Sequence, residues 1–443
     1  MINNNENKQD LMSKIVSLAK RRGFVYPGSD IYGGLANTYD YGPLGAELKN
    51  NIKQAWWKYF IQEREDMVGL DGQILINPKV WQASGHIENF KDPLVECKKC
   101  HQRFRPDKLK DASKCPDCGG EFTEERFFSG MFKTTIGPVE KEGLTAYLRP
   151  ETAQNIFINF KNVLDSTNVQ IPFGIGQMGT AFRNEITTGN FIFRTLEFEQ
   201  MEIEYFISSE ADWEKVFQEW VDYIHNFSSR IGLDKNKIEN VEILKEERAH
   251  YSKKTIDIYY EFPFGKDELW AIAYRTDYDL SRHQEMSGQS LEYFDDNIKK
   301  KYIPHVIEPT FGLNRTLLAV LCNSYQEEKL ENDEIRIVLK LHPNIAPYKV
   351  AIFPLLRNKP ELIKKAKEVY ELLKSHFMCQ YDEIGSVGKR YRRQDEIGTP
   401  FCLTIDFESL NQNDLTIRDR DTMKQERIKI EDLVKVLKEK LNV

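Results

Sequence analysis

The densest group of chemistry-bearing residues lies between Ala181 and Phe206, in the string A-F-R-N-E-I-T-T-G-N-F-I-F-R-T-L-E-F-E-Q-M-E-I-E-Y-F. Thr187, Thr188, Gly189 and Asn190 tolerate tight or left-handed backbone, so the string predicts two strands joined by a short turn. Strand side chains alternate between faces. On the second strand this groups Phe191, Phe193, Thr195, Glu197, Glu199, Met201, Ile203 and Tyr205 on one face. Ile192, Arg194, Leu196, Phe198, Gln200, Glu202 and Glu204 take the other. With Arg183 and Glu185 sharing a face on the first strand, Arg183, Glu185, Arg194, Phe198 and Glu202 are expected to converge. Two guanidinium forks suit a phosphate chain. A phenylalanine offers a face on which a base stacks, and a carboxylate accepts from an exocyclic amino group. The plain alternative is a solvated, salt-bridged hairpin.

A second constellation is Cys97-x2-Cys100-x14-Cys115-x2-Cys118. Two C-x-x-C knuckles complete a tetrahedral four-sulfur zinc site, and Pro116 and Gly119-Gly120 are typical knuckle punctuation. Four sulfur ligands leave no open position, so the zinc is expected to be structural, within a zinc-ribbon insertion over residues 92–128. A redox dithiol pair is the alternative. Cys322, Cys379 and Cys402 stand alone in apolar surroundings and read as buried thiols.

The elements that must position these groups follow from length and periodicity. A chain of 443 residues with 40% hydrophobic content suffices for two or three domains. No apolar run reaches the roughly 20 residues a membrane helix needs. The polar, Asn-rich start lacks the pattern of a signal peptide, so a cytoplasmic protein is expected. Net charge is −7, which argues against bulk nucleic-acid coating. Residues 335–443 nevertheless carry 21 Lys and Arg against 16 Asp and Glu, a basic tail on an acidic body.

Leu11 to Arg21 has helical spacing, and after Pro43 so do Leu44, Leu48, Ile52, Trp56 and Tyr59. A strand is expected to end at Arg149-Pro150, with Glu151 and Thr152 opening a helix whose dipole favours the acid. Asp212–Ile231 reads as a helix, residues 241–262 as a charged helix plus a strand, and E-L-W-A-I-A-Y-R-T-D-Y-D-L as a strand plus turn. V-I-E-P-T-F-G-L-N-R predicts a strand, a turn at Gly312 and a helix from Leu313. Arg315 in that helix's first turn opposes the dipole, which an anionic ligand would explain. Pro343 and Pro347 mark a linker, and strand–helix alternation beyond it predicts an α/β domain with a mostly parallel core. Lys389, Arg390, Arg392 and Arg393 are its best RNA-facing group, a solvated helix face being the alternative.

These strings carry a resemblance. F-R-N-E followed by F-x-F-R-T-x-E-F-E-Q-M-E resembles motif 2 of the class II aminoacyl-tRNA synthetases, here about 178–206. D-Y-G-P-L-G-A-E-L-K-N-N resembles motif 1 (about 38–80), and the G-x-x-R helix resembles motif 3 (about 304–323). With L-R-P-E-T-A-Q, the cysteine insert and the tail, the chain resembles the homodimeric glycyl-tRNA synthetase family from about Leu11 to Val443. The resemblance implies an α+β catalytic domain on an antiparallel sheet over residues 1–335, and an α/β anticodon-binding domain over 345–443. It also implies a homodimer built on motif 1, with glycine, ATP with Mg2+, and tRNA-Gly as substrates.

By the same resemblance Arg183 and Arg315 are catalytic phosphate contacts. Asn184, Glu185, Phe193, Arg194, Thr195, Leu196, Glu197, Phe198, Glu268, Leu269, Gly312, Leu313 and Asn314 complete the ATP wall. Glycine maps onto Glu151, Glu202, Glu308 and Thr310, with Arg105, Phe198, Glu199, Gln200, Met201, Pro309, Phe311 and Gly312. Three carboxylates around an ammonium suit a substrate without a side chain. Larger amino acids are excluded for lack of space, so no editing domain is expected. The family usually has serine where Thr310 stands and glycine where Ala271 stands, and both changes narrow the pocket. A non-catalytic RNA-binding relative, a zinc-ribbon module without enzyme activity, and a class II synthetase for another small amino acid are the alternatives.

Overall fold

The structure is a computed structural model that describes residues 2–109, 111–139, 143–185 and 189–442. Its centre is a seven-stranded sheet. In chain order the strands are β1 (Met67–Leu70), β2 (Phe173–Phe182), β3 (Glu197–Ile207), β4 (Ile238–Glu242), β5 (Lys254–Phe262), β6 (Gly265–Thr276) and β7 (His305–Gly312). They lie in the order β4-β5-β6-β7-β3-β2-β1, antiparallel throughout except for the parallel edge pair β1–β2.

Strand parity gives the sheet two unlike faces. One face, with Met201, Ile203 and Tyr205, packs under three helices: α1 (Pro43–Trp57), α3 (Trp213–Arg230) and α5 (Leu313–Ser324). Leu44, Leu48, Ile52 and Trp56 form the buried stripe of α1, and Pro43 at its first turn matches the sequence expectation. The stripe therefore covers the chain's own core. The other face is apolar only at one end, where Phe173, Ile175, Phe206 and Val306 meet α2 (Ala153–Ser166) and Leu280 of α4 (Tyr278–Ser287). Towards the opposite end β3 presents Glu204, Glu202, Gln200 and Phe198 in turn on this face.

Several expectations are corrected. β2 and β3 pair only from Phe182↔Glu197 inward, so the second strand begins at Glu197 rather than Phe191. Asn190 and Phe191 at φ 58° and 59° break the extended run, and Phe191–Phe193 forms a short 3-10 turn. The parity assigned to residues 191–196 does not hold there. Thr187 and Thr188 lie outside the described residues. The strand before Pro150 is Leu144–Tyr147, and α2 starts at Ala153 with Thr152 at its cap, so Glu151 is no first-turn acid. Residues 243–253 form turns, not a charged helix: Arg248 folds back onto the carbonyls of Ile243 and Lys253. The turn expected after β6 is instead the helix α4.

The tail builds a separate five-stranded sheet, in which Cys379–Tyr381, Val350–Pro354 and Phe401–Ile405 are parallel. Asp414–Asp419 and Gln425–Lys429 add an antiparallel hairpin, so the core is mixed rather than mostly parallel. Asn51 of α1 donates to the carbonyls of Ile345 and Ala346 at 3.2 and 3.0 Å, tying the linker to the helix that packs on the seven-stranded sheet. Among the described residues no helix is long and apolar enough to cross a membrane.

Candidate active site

The floor is a row of directly paired residues crossing five strands: Gln177, Glu202, Thr310, Ala271 and Asp257. Direct partners share a face, so this row places Glu202, Thr310, Ala271 and Asp257 side by side. A bulge between Ile258 and Tyr259 shifts the β5–β6 register. Leu269 and Trp270 are both buried in the core, and Glu268 is re-aimed to the side of Ala271.

Above this floor a cleft is lined by Arg183, Glu185, Arg194, Phe198, Glu268 and Arg315, with Phe193, Thr195, Gln200, Thr310, Gly312 and Asn314 around them. Arg183 lies just past the end of β2, its Nε donating to the Pro150 carbonyl at 3.1 Å. Its guanidinium sits 5.6 and 5.3 Å from the Phe90 and Phe198 ring centres. Arg315 lies over Phe193 at 4.5 Å and pairs with Glu268 at 3.0 Å. Arg194 reaches Glu185 only at 3.9 Å. Asn314 holds the wall together, accepting from the Glu199 N–H at 3.2 Å and donating to Thr195 Oγ1. Two arginines, one stacked near Phe198 and the other over Phe193, thus line one cleft. Burial, then Glu268, pushes the Asp257 carboxyl up to about 7 against the pull of Arg315.

Deeper on the same face lies a chamber of buried charge. Arg275 forks onto Asp279 at 2.7 and 2.8 Å and reaches Glu308 at 2.7 Å. The Tyr251 ring lies 3.7 Å and Phe157 5.2 Å from its guanidinium. Burial would lower this arginine, but Asp279 and Glu308 hold it well above its usual range. Glu151 contacts His86 at 3.2 Å and accepts from Gln154 at 3.0 Å. Burial would raise it, but His86 and Arg275 hold it below the carboxylate range. Glu202 accepts from the hydroxyls of Thr152 and Thr310, the latter at 3.0 Å. Burial and then the charge of Glu151 raise Glu202. Burial likewise pushes Glu308 up to about 8, with Arg275 opposing and Glu202 and Glu151 adding.

The structure gathers Arg183, Glu185, Arg194, Phe198, Glu268, Gly312, Asn314 and Arg315 at the cleft, and Glu151, Glu202, Glu308 and Thr310 at or just below its base. Parity sends other candidates elsewhere. Met201, Phe311 and Leu313 are core residues and Pro309 shares their parity, whereas Glu199 and Leu269 also border the cleft, with the Glu199 carboxylate paired to Lys49 and Lys53 of α1 at 2.5 and 2.9 Å. Glu197 is exposed, and Asn184 is fixed through its N–H to the Gly130 carbonyl. Leu196 donates its N–H to the Asn37 carbonyl. Arg105 is paired with Asp92 and Asp107 at 2.8 Å each and is not among the cleft-lining side chains.

In the tail, Arg390 is buried, not RNA-facing: its guanidinium donates to the carbonyls of Pro354, Glu383 and Gly385. Lys389 is exposed, while Arg392 and Arg393 are partly so and pair with Glu334 and Asp382. Sequence reasoning missed Arg275, Asp279, His86, Gln154, Thr152, Glu204 and Asp257. The i, i+4 pair in R-T-D-Y-D was the available signal for the first two.

Cys97, Cys100, Cys115 and Cys118 place their sulfur atoms within 4.8 Å of one another. Tetrahedral sulfurs at a zinc bond length stand about 3.8 Å apart, and the observed pairs, 3.4 Å for Cys97–Cys118 and 3.6 Å for Cys100–Cys115, are close to that. The donor set fits zinc.

An antiparallel sheet carrying a cleft with Arg183 and Arg315 in its wall, joined to a second α/β domain, defines a class II synthetase architecture. Residues 133–324 match the tRNA synthetase class II core domain (G, H, P, S and T), and residues 349–440 match the anticodon binding domain. The glycine–tRNA ligase of Acetivibrio thermocellus is 52% identical, covering 96% of this chain and 97% of its own. That of Clostridium acetobutylicum is 52% identical over 97% and 98%, and that of Geobacillus kaustophilus 51% over 97% and 99%. The chain belongs to the glycine–tRNA ligase family of class II synthetases.

Proposed function

We propose that the chain activates glycine with ATP and transfers the glycyl group to tRNA-Gly. A glycine carboxylate oxygen attacks the α-phosphorus, pyrophosphate leaves, and glycyl-adenylate forms. A terminal ribose hydroxyl of the tRNA then attacks the glycyl carbonyl and AMP leaves. Both steps depend on alignment and charge neutralisation rather than on a strong base.

Arg183 contacts the α-phosphate, where its guanidinium can follow the developing charge. Arg315 holds the far end of the triphosphate once ATP draws it from Glu268. Glu185 accepts from the adenine amino group, and the ring stacks on Phe198. Mg2+ accompanies ATP as part of the substrate, and the half-exposed Glu268 is the carboxylate placed to hold it. The observation that carries the glycine reading is the buried chamber of Glu151, Glu202 and Glu308 below the phosphate clamp. It offers carboxylates for an ammonium group and little room for a side chain.

The cysteine insert is a zinc ribbon that braces the active site. The domains divide at residues 1–335 and 345–443, with Lys389, Arg392 and Arg393 of the tail facing tRNA. A homodimer in the cytoplasm completes the reading. Amino-acid-dependent ATP–pyrophosphate exchange with all twenty amino acids tests it. Exchange with glycine alone is expected. Exchange with serine or alanine instead would overturn the chamber's assignment, and no exchange from folded, zinc-replete protein would favour a non-catalytic RNA-binding role.

A further inference from the structure

Glu204 has no place in the reaction as described, and its surroundings are unusual. It is 0% exposed, and neither carboxylate oxygen has a hydrogen-bond partner among the described residues. The register Glu202↔Thr310 and Tyr205↔Ile307 sets it directly against Glu308. Carboxylate oxygens of Glu202, Glu204 and Glu308 lie within 4.8 Å of one another, so the unpartnered group is aimed at the floor of the chamber.

The charged groups facing it can be named element by element. Glu202 precedes it on β3, Glu308 faces it from β7, Arg275 from β6 and Asp279 from α4. Glu151 stands across the chamber with His86, and Tyr251 covers Arg275. Arg275 is the cation within reach, and its nitrogens already serve Asp279 and Glu308. Towards β2 the neighbour is Ile175. A bare carboxylate here would be buried, unbonded and opposed by two others, an arrangement that proteins avoid by protonation. Burial and then Glu308 raise Glu204 well above the carboxylate range, in agreement with that geometry.

We propose that Glu204 is the proton store of the amino-acid chamber: in the empty chamber it holds a proton for the Glu202–Glu204–Glu308 cluster, and the ammonium group of glycine displaces it. The inference rests on the glycine reading of the chamber. An O–H bond of the carboxylic acid breaks, its proton leaves through Glu202 or Glu308 to solvent, and the incoming positive charge takes its place. No redox change is involved. Glu204 is a positioning residue: it sets the charge its neighbours present without touching substrate.

The test is calorimetry of glycine binding to the full chain, without ATP, in buffers of different ionisation enthalpy at one pH near neutrality. Wild type is expected to release protons to buffer, and its glycine Kd to tighten with rising pH, by up to about tenfold per unit. Glu204→Gln should bind glycine with the release diminished and the pH slope flattened. Glycine binding with no buffer dependence in wild type overturns the proton store alone. Undiminished release from Glu204→Gln also overturns it. Failure of glycine to bind while another amino acid binds overturns the glycine reading and the store together. The wild-type measurement decides the matter even if the variant does not fold.

Discussion

Ala271 and Thr310 are direct cross-strand partners, and Thr310 is in turn the partner of Glu202. Their side chains therefore stand side by side on the face that carries the carboxylate chamber. Relative to the glycine and serine expected from the family pattern, each adds one methyl group to the same small space. The Thr310 hydroxyl keeps its 3.0 Å bond to Glu202, so the charge arrangement is preserved while the volume falls. Thr310→Ser and Ala271→Gly, singly and together, should leave glycine exchange within a few-fold. One methylene of room is worth about 1–3 kcal/mol, so alanine exchange by the double variant should rise about tenfold or more. Being in contact, the two changes should couple rather than add. Glycine-to-alanine discrimination unchanged in the double variant would remove this row from the selectivity argument.

Arg275 gathers more of the chamber than any residue expected from the sequence. It is fully buried between Tyr251 and Phe157 and holds Asp279 and Glu308 with separate nitrogens. Removing one member of a buried ionic group leaves the others uncompensated, at a cost of about 3–5 kcal/mol. Arg275→Met should lose stability on that scale in urea unfolding and lose glycine activation with it. Arg275→Lys keeps the charge without the fork and should recover only part of either. A loss below about 1 kcal/mol for Arg275→Met would mean that the network contributes little.

Asp257 gives a pH signature of folding. Its carboxyl is raised to about 7 by burial and by Glu268. An acid whose folded pKa lies above its unfolded value contributes stability that is present below the unfolded pKa and lost as pH rises through the folded one. The window runs from about 4 to about 7. Asp257→Asn cannot ionise, so its melting temperature should exceed that of wild type by little at pH 5, near the bottom of the window, and by much more at pH 8. Equal melting temperatures at both values would show that Asp257 ionises freely in the folded protein.

Much of the site could be read in the chain because strand parity is a local property. Phe198, Gln200 and Glu202 are two apart on a true strand, and α1 and α5 begin where Pro43 and Gly312 indicated. What could not be read depends on contacts remote in sequence. The bulge at Leu269, which brings Glu268 and Ala271 to one face, follows from pairing between β5 and β6. Arg275 meets Glu308 only once β6 and β7 are adjacent. Arg390, Gln394, Asp395 and Ile397 are the buried residues of the helix Val387–Ile397, and a buried side that is mostly polar carries no hydrophobic signal. Its arginine is inside because three backbone carbonyls wait there for a donor.

The cysteine cluster gives the last prediction. Cys97 and Cys115 are buried and Cys100 and Cys118 partly so. Short strands support them: Lys91–Glu96 pairs with Arg103–Phe104 and with Arg126–Ser129. Among the described residues this lobe holds few of the large buried side chains of the main core, so a zinc bound by the four cysteines would supply much of its order. Purified protein should carry about one zinc per chain by elemental analysis. Stripping it with a chelator should release exchange protection over residues 91–129 while the seven-stranded sheet stays protected. Cys100→Ser should do the same without chelator. Asn184 donates to the Gly130 carbonyl at the foot of this lobe, and Arg183 stacks near Phe90 at its start. Loss of zinc should therefore weaken ATP–pyrophosphate exchange through the placement of Arg183, although the four cysteines are not among the cleft-lining residues. Full exchange activity in protein shown to be zinc-free would separate the lobe from the clamp.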